Sequence, residues 1–131
     1  KLHPIEEILS LNVIAINKLK TCHPSFQYDL KKYYPQSWNI FDKKNRQLTY
    51  KVSIQNLKKG IKEGCYRKEI NPEIISKIFS EKIDVIFNSL AFEAINVSFS
   101  DVYKELINPH VLGIVNEEGR KYYLNFQKTT K

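Results

Sequence analysis

Apolar positions in this chain recur at intervals of three and four and rarely alternate singly, which is the period of a helix rather than of a strand. No Asn-Gly or Asp-Gly hairpin turn occurs, so the pattern predicts an all-α chain. The first segment, Pro4 to Thr21, carries Ile5, Ile8, Leu9, Leu11, Ile14, Ala15, Ile16 and Leu19. These cover more than one face, so a helix sandwiched between neighbours is expected. Cys22-His23-Pro24 ends it, because the residue before a proline is pushed out of helical conformation. Ser25 to Tyr34 reads as a short aromatic helix, and Gln36 to Glu63 as a long one. On the long helix Trp38, Phe41, Leu48 and Val52 fall at helical spacing. Ile54, Leu57 and Ile61 continue toward its end, and a face of lysines with Arg46 is expected in solvent.

The punctuation between helices is sharper than their faces. Gly64 takes a left-handed conformation at no steric cost, so it is expected to close the long helix. Asn71 followed by Pro72 reads as an N-cap with proline in the first helical position. Tyr66 and Ile70 are the apolar residues available to pack beneath the resulting corner. The next helix, Pro72 to Asn88, is apolar at Ile74, Ile75, Ile78, Phe79, Ile83, Val85, Ile86 and Phe87. So wide an apolar surface implies contact with more than the domain's own core. After a loop from Ser89 to Val97, Ser98-Phe99-Ser100-Asp101 reads as a capping box. It opens a helix that ends near Asn116 to Gly119 and that Pro109 is expected to kink. Arg120 to Phe126 forms a last short helix or turn, followed by a frayed end. The sum is an antiparallel bundle of about five main helices in a single domain covering residues 1–131.

Composition adjusts this picture only slightly. A chain of 131 residues, 42% hydrophobic and 27% charged, is large enough to bury a core without staples. A net charge of +7 raises the question of nucleic acid. Here, however, Lys and Arg are interleaved with acids on helical patterns, which fits solvated faces. No apolar run is long enough for a membrane span and no signal-peptide pattern occurs. The two cysteines, Cys22 and Cys65, show no metal-type spacing. Reduced thiols and a cytoplasmic setting are expected. The chain begins at Lys1 and contains no Met, so a piece of a longer protein is expected.

Enzyme chemistry finds little support. His3, His23 and His110 stand in no HExxH or CxxC context, so neither a metal nor a cofactor is expected. Cys22-His23 are neighbours, but adjacent residues at a helix end point apart, and a catalytic Cys needs a base across space. No phosphate loop and no GxSxG elbow are present. Aromatics gather instead: Phe26, Tyr28, Tyr33, Tyr34, Trp38 and Phe41, with Tyr50 and Phe79 able to face them. An aromatic-rich core and a small-ligand pocket lined with hydroxyls are both open readings.

Pro24-x-x-x-Tyr28-Asp29-Leu30-x-Lys32-Tyr33-Tyr34-Pro35-x-x-Trp38 resembles the ligand-binding half of tetracycline-repressor-like (TetR) regulators, especially a Bacteroidetes-type branch. So does Asn56-Leu57-x-x-Gly60-Ile61-x-x-Gly64-x-Tyr66-Arg67-x-x-Ile70-Asn71-Pro72. A third block, Phe99-Ser100-Asp101-Val102-Tyr103 through Gly113-Ile114, is similar to the family's last long helix. The resemblance implies an all-α C-terminal domain that forms a homodimer and binds a small, apolar or aromatic effector. DNA is contacted in such proteins only through an N-terminal helix-turn-helix, and this chain has no such segment before Pro4. The family's dimer contact, through the last two long helices, maps to Pro72–Asn88 and Phe99–Val115. Expected interface residues are Ile83, Phe87, Leu106, His110, Gly113 and Ile114; Pro109 departs from the family's unbroken helix. Expected effector contacts are Tyr28, Tyr34, Trp38, Phe41, Tyr50 and Phe79, in a cavity between the first three helices and the one after the corner. The alternatives are a small basic helical nucleic-acid-binding module, motivated by Lys31-Lys32-Tyr33-Tyr34, a helical enzyme, and a purely structural dimerisation domain.

Overall fold

The computed structural model describes residues 2–20, 26–87, 92 and 94–130, with side chains for all of these except 12, 14–20, 26, 27 and 83–87. Six helices and no strand occur among the described residues. They are α1 (Pro4–Lys20), α2 (Phe26–Tyr33), α3 (Pro35–Lys62), α4 (Pro72–Phe87), α5 (Phe99–Ile114) and α6 (Glu117–Thr129). The all-α helical bundle expected from the period is the observed fold. Pro4, Pro35 and Pro72 each open a helix, where a missing N–H costs nothing. Cys22, His23 and Pro24 lie outside the described residues.

α3 and α4 share the most extensive contact and run antiparallel. Ion pairs between them fix the register, with Lys58 on Glu73 at 3.6 Å near the corner and Arg46 on Glu81 farther along. Small residues are buried on both helices, Ser53 and Gly60 on α3 and Ser76 and Ser80 on α4. α1 packs on α3, α5 and α6 through its first turns, burying Ile5 and Ile8, while α5 and α6 bury Ile107, Val111, Ile114 and Tyr123. The apolar stripe expected along α3 is only partly used. Leu57 is buried, whereas Phe41 and Leu48 face solvent. What α3 buries is Ser53, Asn56, Leu57 and Gly60, the flank on which Asn56 meets Pro4 of α1 and the bare Gly60 admits the Tyr66 ring. α1 also departs from expectation, since Leu11 and Val13 are exposed.

The corner forms as its residues dictate. Gly64 has φ +82, and the N–H groups of Gly64 and Cys65 donate to the carbonyls of Ile61 (3.2 Å) and Gly60 (3.0 Å). This is a Schellman closure, and it uses two carbonyls that the helix end leaves open. Asn71 Oδ1 accepts from the Ile74 N–H at 3.1 Å and caps α4. Ser98 and Asp101 exchange bonds of 3.1 and 3.3 Å in a complete capping box.

A second turn is sewn onto the corner. Arg67 N–H donates to the Ile114 carbonyl at 2.9 Å and Asn116 N–H to the Cys65 carbonyl at 3.1 Å, giving an antiparallel bridge between Tyr66 and Val115. Asn116 also donates through Nδ2 to the Gly64 carbonyl at 2.7 Å, while its Oδ1 caps α6 by accepting from Gly119 N–H at 2.9 Å. The bridge holds Val115 extended, at φ −76 and ψ 148, so α5 ends at Ile114 rather than near Asn116 to Gly119. Its Asn116 cap starts α6 early, and the short helix or turn expected at Arg120 to Phe126 is a 13-residue helix. α5 continues through Pro109. That residue is exposed, and so is Glu105, whose carbonyl loses its helical donor.

Candidate functional site

A buried polar side chain, Asn56, joins the start of α1 to the corner. Asn56 is 1% exposed. It donates to the Pro4 carbonyl at 2.8 Å and accepts from the Tyr66 hydroxyl at 2.7 Å. Its Nδ2 also approaches Glu7 Oε1 at 3.3 Å, and Glu7 takes a 2.8 Å ion pair from Lys59. That hydrogen bond holds the Glu7 carboxyl below its ordinary range. Burial pushes the Tyr66 phenol well above its own. Lys59 reaches on to the Leu2 carbonyl at 3.0 Å. On the other side of α1, His3 stacks on Tyr122 with ring centroids 3.7 Å apart, and Tyr122 donates to Glu6. The first turn of α1 is therefore clamped from two sides, by α3 and by α6. Every buried polar atom named here has a partner, so the cluster locks geometry rather than performing chemistry.

The expected effector residues are not brought together. Tyr28, Tyr34 and Phe41 are exposed, Trp38 and Tyr50 half-buried, and Phe79 buried. Lysines cover part of the exposed set, with Lys31 Nζ 4.7 Å from the Trp38 ring and Lys32 Nζ 5.5 Å from that of Tyr28. The aromatic cavity between the first helices and α4 is thus not seen among the described residues. α2 is short and rests against α3 alone among the strongly packed pairs, so no other helix packs firmly over these rings among the described residues. Tyr50 lines an open groove of about 600 Å³ between α3 and α4 with Asp42, Arg46, Glu73, Ile74 and Lys77. Arg46 pairs there with Asp42 at 3.0 Å and with Glu81, so the groove is rimmed by neutralised charge.

The expected interface residues divide three ways. The side chains of Ile83 and Phe87 lie outside those described. Ile114 is in the core, and His110 stacks on Phe79 with centroids 4.2 Å apart at 25°. Thus an expected interface residue covers an expected effector residue. Its burial and the charge of Lys82 hold His110 down to about 4, and its Nε2 is buried without a partner among the described residues. Leu106 is half-buried and Gly113 exposed, with open space where a Cβ would stand. They belong to a wider seam that the sequence reading missed. Val102, Leu106, Pro109 and Gly113 follow at steps of four and three residues, uncharged, and none is buried. The helical spacing of these residues is the signal in the sequence, and Pro109, expected only to kink the helix, is part of it. An apolar trough of about 370 Å³, lined by Phe92, Ile95, Val97, Val102 and Leu106, runs along the start of this seam.

Cys65 is buried and free, and burial pushes its thiol up, away from the thiolate that a nucleophile requires. Among the described residues no group of three or more His, Cys, Asp or Glu side chains could hold a metal, and no helix is long and apolar enough to cross a membrane. Comparison with protein-family models, with curated proteins and with solved structures gives no match.

Proposed function

We propose that this chain is the effector-binding and dimerisation domain of a TetR-like transcriptional regulator, whose DNA contacts belong to a helix-turn-helix outside the chain. The observation that carries the reading is that the middle block of the resemblance acts as one mechanical unit. Gly64 and Asn71 end one helix and start the next, Gly60 admits the Tyr66 ring, and Tyr66 holds Asn56. Residues that would be scattered punctuation in an unrelated helical protein are here mutually dependent. The uncharged seam on α5 supports the dimer half of the reading, since a two-fold contact needs one self-complementary patch. The exposed Ile74 and Ile78 add apolar surface on α4.

Sedimentation equilibrium tests the dimer. The wild-type chain is expected to sediment as a dimer at micromolar concentration, and Leu106→Glu as a monomer of unchanged helicity. A monomeric wild type overturns that half. Translation of the coding sequence upstream of Lys1 tests the class: a helix-turn-helix supports it, and an unrelated segment removes it.

A further inference from the structure

A pocket of about 360 Å³ opens where α1, α5 and α6 meet. Leu9 and Val13 from α1, Ile107 from α5 and Phe126 from α6 form its apolar walls. Its polar part is a compact set. The Tyr123 hydroxyl, on a residue 1% exposed, donates to Asn108 Oδ1. Gln127 Nε2 donates to Tyr123 Oη at 2.8 Å and to Asn108 Oδ1 at 3.3 Å. These bonds saturate the hydroxyl and use the Asn108 oxygen and the Gln127 nitrogen. Asn108 Nδ2 and Gln127 Oε1 remain, one donor and one acceptor without a protein partner among the described residues, as do the hydroxyls of Tyr103 and the exposed Ser10. All four belong to residues that line the pocket, beside its apolar walls.

That pairing selects a head group able to accept and donate at once. A carboxamide or a hydroxyl does so; an ester or a bare ring does not. The one charged lining residue is Lys104, which is exposed, so a charged head buried among the walls would lack a desolvated counter-ion. The volume is more than twice the roughly 150 Å³ that holds benzene in an engineered cavity and lies at the small end of ligand sites. We infer that this pocket binds a small, uncharged molecule with an apolar body of about two fused rings and a single carboxamide or hydroxyl head. The inference deepens the effector part of the reading above by moving the site away from the aromatics of α2 and α3.

Naphthalene-2-carboxamide is a suitable probe, titrated into the whole chain while the methyl resonances of Leu9, Val13 and Ile107 are followed. Saturable shifts at these three residues are expected. Val13→Trp, which fills the mouth from an exposed position, is expected to weaken binding at least about ten-fold without lowering Tm, as filling a preformed pocket does. Gln127→Leu is expected to weaken the carboxamide by about ten-fold and to leave naphthalene unchanged, the pattern of one lost polar contact. Absence of saturable shifts up to the solubility limit overturns the proposal, as does undiminished binding to Val13→Trp. Naphthalene-2-carboxylate binding as tightly as the carboxamide overturns the uncharged head. Sedimentation of the same sample separates the two readings: a dimer that ignores the probe removes the pocket alone, and a monomer that binds it removes the dimer alone.

Discussion

The Tyr66 ring lies so close to Gly60 that a Cβ built on the glycine would stand 2.1 Å from the tyrosine Cδ2. On the other side of the same segment, a Cβ on Gly119 would stand 2.1 Å from the Cys65 carbonyl oxygen. The two residues after the corner are thus held between the bare backbones of α3 and α6.

Gly60→Ala and Gly64→Ala should therefore separate clash from strain. At Gly64 nothing lies within 4 Å of the added Cβ, and the cost is the left-handed backbone alone, about 1 kcal/mol. At Gly60 the ring must leave a packed core, and overpacking there should cost about 3 kcal/mol. Urea unfolding monitored by circular dichroism gives both values. Equal costs would mean that the ring relaxes freely.

The Tyr66–Asn56 pair should show coupling in a double-mutant cycle. Tyr66→Phe removes one hydroxyl and leaves Asn56 Oδ1 unpaired in the core, a loss of about 1–2 kcal/mol. Asn56→Ala strands the Tyr66 hydroxyl in the core and removes a second donor from the Pro4 carbonyl, so it should cost more, about 2–4 kcal/mol. The double variant is expected to be less damaged than the sum, because both single changes break the same bond. Simple additivity would show that the bond contributes nothing.

His110 should make the fold acid-sensitive. Its folded pKa of about 4 lies below the ordinary 6.5, so between these values the unfolded chain binds more protons. Stability from this group is complete above about pH 6.5 and is lost as pH falls toward 4, by roughly 3 kcal/mol in all. His110→Phe, which keeps a ring against Phe79, should flatten this limb of the stability–pH curve. An unchanged limb would assign it to the carboxylates.

Ser76 has a buried hydroxyl with no partner among the described residues. Ser76→Ala removes an unsatisfied group and keeps the small size that α3 and α4 need at their contact. A gain of about 1 kcal/mol, or no loss, is expected in thermal unfolding. A clear loss would reveal a partner for that hydroxyl.

Much of the fold was legible because helix punctuation is local. Gly64, Asn71-Pro72 and Ser98-Asp101 each work through bonds that span only a few residues, so their residue types suffice to place them. The α5–α6 turn was misplaced because its geometry depends on Cys65 and Arg67, far away in sequence. The exposed Phe41 and Leu48 were misassigned for a related reason. A helical stripe reports that a face is apolar, not whether another helix reaches it.

The sequence by itself determined the helices, their order and most of their ends, since period, caps and left-handed glycine are properties of neighbouring residues. Tertiary structure alone decided four further things. It chose the flank of Ser53, Asn56, Leu57 and Gly60 on α3 over the aromatic one as the packing surface, because Asn56 finds the Pro4 carbonyl and the Tyr66 ring needs the bare Gly60. It turned His110 inward onto Phe79, and it left Val102, Leu106, Pro109 and Gly113 uncovered. It also brought Asn108, Tyr123 and Gln127 beside Leu9 and Val13, a pocket assembled from three helices. Contacts of this kind are made across space, and no window along the chain contains both partners.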